Sequence, residues 1–439
     1  MSALGSVVAL LVSVGLLLMG NGLQTTLLPI RAAIENFSGV AIGIMGSAYF
    51  VGFVSGCVLG PRLVRRAGHI RAFAAFVALA SAVAIIHPLW VDPVAWWALR
   101  AATGFCFAIL YLVIESWLNE RSTNETRGVV MSVYIMVNFA AIAVGQLLIV
   151  TYDPALFPLF SIASILVSVA SVPITLSRAA APAPIEVVAI RPVKLYRSSP
   201  VGVVGCFVVG LFNGAFWSLG PTAVTGSGFD ANTAAVFMSS AVAGGALMQY
   251  PLGRVSDRID RRLVLMGICL AAAVVSGVLF LGGFGLPLMV AGALFGAASL
   301  PGYAIAAAHA FDHAAPGEAV ETSAGLLLAN GAGSVVGPIG ASLVMEGAGA
   351  FGLFAFTAAM QVMLAVFVAA RMRVRAAPAQ EEKTDFSLAN AAAVMVAVEP
   401  EQQAPETPPD VDVDEVLPPP FEPREHPSDE EGDAPRPGA

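Results

Sequence analysis

Arg100 is the residue of this sequence that most needs a chemical explanation. It lies inside an apolar run, 94–117, long enough to cross a bilayer, and an arginine keeps its proton at any physiological pH. A charge at membrane depth costs on the order of 3 kcal/mol unless it faces a cavity, a partner or a solute. Helical spacing of three to four residues aligns Arg100 with Gly104, Phe107, Tyr111 and Glu115. Glu115 is 15 residues further on, about 22 Å along a helix axis, so it does not neutralise Arg100. Either a neighbouring polar residue solvates it, or an anionic solute bearing a carboxylate or comparable acceptor does. Other polar side chains interrupt apolar runs elsewhere: Asn21, Gln24 and Thr25 in 5–30, Asn213 and Trp217 in 200–224, and Tyr303 in 287–309. Each has a second, structural reading. Asn21 and Asn213 can hydrogen-bond between helices, Tyr111 and Tyr303 can pack with a satisfied hydroxyl, and Trp217 can anchor at an interface.

A second charged group stands at Gly253–Arg262, GRVSDRIDRR, between two apolar runs. Subtracting 192 from each position lands on PRLVRRAGHI, again between apolar runs, with Arg62 under Arg254 and Arg66 under Arg258. Arg65 stands where Asp257 does. The same offset pairs Asn21 with Asn213, Pro29 with Pro221, Gly52 with Gly244, Gly104 with Gly296, Tyr111 with Tyr303 and Gly145 with Gly337. An ungapped register of this length implies an internal duplication.

The elements that hold these residues follow from composition. The chain is 57% hydrophobic and 12% charged, with mean hydropathy +0.80. A soluble domain cannot hide so much apolar surface. Since a spanning helix needs roughly 20 apolar residues, twelve are expected, at 5–30, 40–60, 72–91, 94–117, 129–150, 156–176, 200–224, 231–251, 263–283, 287–309, 322–346 and 351–370. The first lacks the basic start and short length of a cleaved signal peptide. Of the 19 Lys and Arg in residues 1–375, 17 fall on one side of this arrangement. That predicts both termini in the cytoplasm, because cytoplasmic loops collect basic residues.

The expected organisation is a six-helix bundle over 1–176, a linker over 177–199, a second bundle over 200–375, and an acidic, proline-rich tail over 376–439. The net charge of −8 belongs to that tail, which holds 16 Asp and Glu against 3 Lys and Arg. Its composition predicts disorder, and within it Phe386–Val398 is either a short interfacial helix or nothing. Cys57, Cys106, Cys206 and Cys269 lie in apolar runs without metal-ligand spacing and read as core residues.

Twelve helices in two parallel repeats, with a basic loop after the second and eighth, resemble the major facilitator superfamily. Several motifs carry the resemblance. GRVSDRIDRR is close to the superfamily's loop signature, with Asp260 in place of its second glycine. Gly333, Gly337 and Pro338 are similar to its glycine-proline helix kink, and Arg100 with Gly104 to its embedded-arginine motif. SAYFVGFVSGC, YLVIESWLNE and YAIAAAHAFD further resemble a YcaD-like branch of permeases. The resemblance covers residues 1–375. It implies that the first, fourth, seventh and tenth helices line a central cavity, and that Arg65, Arg66, Gly68, Gly253, Asp257, Arg258, Arg261 and Arg262 belong to a cytoplasmic gate.

Glu115 and Asp312 stand at that same end. Glu115 is expected to pair with Arg65, Arg66 or Arg71, with proton carriage as the other reading. Asp312 is expected to pair with Arg258 or Arg261, and Asp257 to meet the positive end of the fifth helix. His309 is either structural or a proton switch. No Asp or Glu falls in the middle third of an expected helix, which disfavours organic cations as solutes. No Walker motif, metal cluster or nucleophile-base set is present. The expectation is therefore a monomeric secondary transporter in a bacterial inner membrane, without cofactor, metal, nucleic-acid partner or enzymatic activity. Its partners would be the bilayer, a small solute and a coupling ion such as the proton. The rival is a non-transporting sensor or scaffold signalling through the tail.

Overall fold

A chain crossing hydrocarbon must satisfy its backbone hydrogen bonds within each crossing, and a helix does so. The computed structural model describes residues 7–123, 126–176, 191–282, 287–315 and 318–374. The acidic tail, its 386–398 segment and linker residues 177–190 lie outside these. The described residues belong to one compact unit. They contain twelve helices long and apolar enough to span a membrane: α1 Val8–Ile34, α2 Gly39–Ala67, α3 His69–Leu89, α4 Pro93–Glu120, α5 Gly128–Thr151, α6 Pro158–Thr175, α7 Pro200–Thr225, α8 Ala231–Arg258, α9 Arg261–Phe280, α10 Leu288–Phe311, α11 Ala319–Ala348 and α12 Gly352–Val374. Each coincides with one apolar run of the sequence. A short helix, Pro192–Ser198, precedes α7. Outward apolar side chains such as Leu247, Val274, Leu343 and Val366 stay exposed, as lipid-facing positions must.

Two details depart from the sequence reading. The basic segments expected as loops are mostly helical: α2 continues through Pro61 to Ala67 and α8 through Pro251 to Arg258. Hydropathy marks where hydrocarbon ends, whereas a helix ends where its chain can be capped. Gly68, at φ 84°, terminates α2, while its counterpart Asp260 accepts from the Arg262 N–H at 3.0 Å and caps α9. The second departure is in α10, which breaks at Leu300–Pro301 into Leu288–Ser299 and Gly302–Phe311. Proline has no N–H to donate one turn back. By contrast α11, the expected kink helix, is unbroken through Gly333, Gly337 and Pro338.

The duplication is visible in the packing. A Cβ on Gly52 would lie 1.8 Å from the Ala101 carbonyl oxygen, and one on Gly104 would lie 2.0 Å from that of Tyr49. At the positions 192 residues on, Gly244 meets Ala293 at 2.0 Å and Gly296 meets Ala241 at 1.8 Å. Both crossings, α2 on α4 and α8 on α10, therefore need a bare backbone at the same places. Gly145 on Met19 and Gly337 on Leu211 repeat the pattern for α5 on α1 and α11 on α7. Ser38 and Asp230, also 192 apart, each cap the following helix. The fold is two parallel six-helix repeats. Between them, α2 packs along α11 and α5 along α8.

Burial differs at the two ends. One apolar core joins both repeats at the end carrying Leu27, Trp96, Phe160, Phe216, Phe295 and Phe354. At the opposite, arginine-rich end the repeats keep largely separate cores, one around Trp117 and Tyr134, to which the second repeat adds Val242 and the partly buried Trp217, and one around Val209 and Tyr303.

Candidate functional site

A cavity opens where the shared core gives way to the two separate ones. Its empty volume is about 1040 Å³, open solvent at the mouth included. Asn21 and Thr25 of α1, Arg100 and Tyr111 of α4, and Asn213 and Trp217 of α7 all line it. Gln24 and Tyr303 do not. Gly20, one turn before Gln24, packs on Ala163 and Val167, so this side of α1 faces α6. Gln24 is buried there, its Nε2 reaching the Gly20 carbonyl at 3.5 Å. Tyr303 lies beyond the Pro301 break, which interrupts the expected face of α10, and sits in an apolar core. No α10 residue lines the cavity, and Ser299 instead accepts from Gln361 of α12 at 3.0 Å.

The wall also uses helices that the sequence reading passed over. Tyr49, Phe50, Phe53, Val54 and Cys57 form a stripe on α2 at helical spacing, and Leu327, Leu328, Asn330, Gly331 and Ser334 form another on α11. The available signal was the aromatic spacing within SAYFVGFVSGC. Cys57 corrects its reading as core, since it is partly exposed at this wall while the other three cysteines are buried. Pro338 cannot donate to the carbonyl of Ser334, so the kink motif bears on the wall without breaking α11.

Arg100 is 6% exposed. Its guanidinium carbon stands 4.5 Å from the centre of the Tyr49 ring, a cation–π contact. It makes no hydrogen bond or ion pair with any described residue, and its Nη1 is buried without a partner. Asn21 lies near the hydroxyls of Tyr49 and Tyr111. The Oδ1 atoms of Asn21 and Asn213 are also buried without partners. Leaving such groups unbonded costs about 1–3 kcal/mol each, and a polar group entering the cavity would meet them.

The charged residues at the arginine-rich end divide in two. In the second repeat Arg261 pairs with Asp312 at 2.9 Å, both side chains 1% exposed, and with Asp257 at 3.3 Å. Asp260 binds Arg262 at 2.8 Å. Burial would raise the Asp260 carboxyl, but hydrogen bonds from Arg262 outweigh it and hold the group below the usual carboxylate range. Arg258 is exposed, and Gly253 is buried. His309 is buried with its ring 4.6 Å from that of His313. In the first repeat Arg65, Arg66 and Gly68 are exposed, as is Arg71. Glu115 is instead buried, within electrostatic reach of Tyr111, Tyr134 and Cys57.

Comparison with known proteins agrees with this architecture. An uncharacterised MFS-type transporter of Yersinia pestis (strain Pestoides F) is 28% identical over 343 residues, 77% of this chain and 88% of its own. The uncharacterised MFS-type transporter YcaD of Escherichia coli O7:K1 is 27% identical over 346 residues, 77% and 89% of the two chains. The solved nucleoside transporter NupG superposes with TM-score 0.72 at 14% identity, covering 85% of this chain and 100% of its own. The sequence profile of the Major Facilitator Superfamily matches residues 10–244 and again 202–402, and the chain, a multi-pass membrane protein, belongs to that family.

Proposed function

We propose that this chain is a secondary active transporter that carries a small anionic solute by alternating access. The family supports transport in general, and the observation that carries the finer reading is Arg100, a buried cation in a cavity wall with no carboxylate of a described residue against it. An anion reaching the cavity would gain a charge-assisted, two-pronged contact. A cation would meet repulsion in a region of reduced dielectric.

In this reading the bundles 1–176 and 200–375 rock about the cavity, and the arginine-rich end faces the cytoplasm of a bacterial inner membrane. The separate cores at that end then correspond to the cytoplasm-open state. Residues Asp257, Arg261 and Asp312 would hold the second repeat's share of the gate. Protons are the proposed coupling ion, with Glu115 as carrier because it is buried beside the cavity wall.

The test is flux in proteoliposomes loaded with a panel of anionic, neutral and cationic solutes, with and without a proton gradient. Anion flux should fall more than roughly tenfold in Arg100→Ala and less in Arg100→Lys, which keeps the charge but not the fork. A cationic solute carried best, and normally by Arg100→Ala, overturns the anion reading. Flux indifferent to the gradient removes the proton.

A further inference from the structure

Among the described residues that line the cavity Arg100 is the one formal charge, Glu115 being buried outside the lining. One monoanion leaves the occupied site neutral, whereas a dianion would bring an uncompensated charge into a region of low dielectric, a strongly unfavourable step. Tyr49 covers one face of the guanidinium, so a carboxylate meets it at the edge, where its N–H groups point. The rings of Phe50, Phe53, Tyr111 and Trp217 line the same cavity. Phe53 packs edge-on to Tyr111 at 6.2 Å and stacked on Tyr49 at 6.3 Å, an arrangement suited to a flat apolar body. Polar side chains line the cavity in both repeats, Asn21 and Thr25 in the first and Asn213, Ser218, Asn330 and Ser334 in the second.

The duplication makes the site directional. The position 192 beyond Arg100 is Gly292, and the one beyond Tyr49 is Ala241. The cation and its platform therefore belong to the first repeat alone.

Resting on the anion reading above, we infer that the solute is an aromatic monocarboxylate with one or two further hydrogen-bonding groups. Its carboxylate meets Arg100 in the first repeat, and its polar end meets Asn213 in the second. A molecule held at both ends binds both repeats at once, and so couples occupancy to their rocking.

The test measures thermal stabilisation of the purified full chain by six probes: 4-hydroxybenzoate, benzoate, terephthalate, gluconate, 4-hydroxybenzamide and tyramine. The expected ranking places 4-hydroxybenzoate first, with the others weaker by roughly tenfold or more. This ranking is read on the unaltered chain and needs no variant. Arg100→Ala, checked for monodispersity, should abolish the 4-hydroxybenzoate shift. Asn213→Ala should erase its advantage over benzoate. No stabilisation by 4-hydroxybenzoate overturns the inference. Terephthalate or gluconate binding as tightly, still dependent on Arg100, overturns the aromatic monocarboxylate class but leaves the anion reading standing. Tyramine or 4-hydroxybenzamide binding best, unaffected by Arg100→Ala, overturns both.

Discussion

Arg100 and Tyr49 work as a pair, and only one of them was legible in the sequence. A charge in an apolar run declares itself by its cost, while a tyrosine in a spanning helix resembles any packing ring. With one face of the guanidinium on the Tyr49 ring, the side chain loses freedom before a solute arrives. Tyr49→Phe keeps the ring and should leave apparent affinity for an anionic solute near its original value. Tyr49→Ala removes about 1 kcal/mol of cation–π attraction and should weaken affinity about fivefold, measured as KM in flux assays. Equal losses in both variants would show that the hydroxyl matters and the platform does not. Polar residues were harder to place than charges, because burial alone does not say what a side chain is buried against. Asn21 and Gln24 are three residues apart on α1, yet one faces the cavity and the other faces α6.

At the scale of the helix, existence was legible and termination was not. Twelve apolar runs of sufficient length fix twelve crossings, but chain ends depend on single capping groups. Asp260 illustrates this: it occupies the position of Gly68 in the other repeat and replaces a positive φ with a side-chain cap. Asp260→Ala should lower stability by about 1 kcal/mol, seen as a reduced Tm near neutral pH. The Asp260 carboxyl is depressed in the folded chain, so its contribution is present above the unfolded value of about 3.9 and is lost as pH falls through the folded one. The Tm difference between variant and parent should shrink on acidification. The glycine crossings give a second expectation. Gly104→Ala and Gly296→Ala each force a Cβ to about 2 Å from a carbonyl oxygen, and no rotamer relieves a clash with backbone. Both should lose monodisperse protein in size-exclusion chromatography to a similar extent, because the two crossings are the same structure repeated. Tolerance of one and not the other would mean that the repeats pack less alike than their offset implies. The wall formed by α2 and α11 escaped the sequence reading, since an apolar stripe facing a cavity has the same period as one facing a neighbour.

For the whole molecule the decisive feature is where the two repeats touch. They share a core at one end only, and there α2 meets α7 and α11 closely. A Cβ on Gly46 would lie 2.3 Å from the Cβ of Ser218 and 3.4 Å from that of Pro338, and one on Gly43 would lie 2.9 Å from the Pro338 carbonyl oxygen. This seam closes the cavity from the end opposite the arginines. If alternating access operates here, the seam must part for the solute to enter or leave on that side. Gly46→Val is then more than a packing defect, because its side chain fits only when the repeats separate at that end. The variant should shift the equilibrium toward the state open there. The measurement is labelling of a cysteine placed at Ser334, in a background with Cys57 replaced, by a membrane-impermeant reagent applied from the side opposite the arginines. Labelling should rise severalfold in Gly46→Val and flux should fall, since a transporter held in one state does not cycle. Unchanged labelling in a well-folded variant would mean that the seam is not the gate and that the cavity opens by some other movement of α2 against α11.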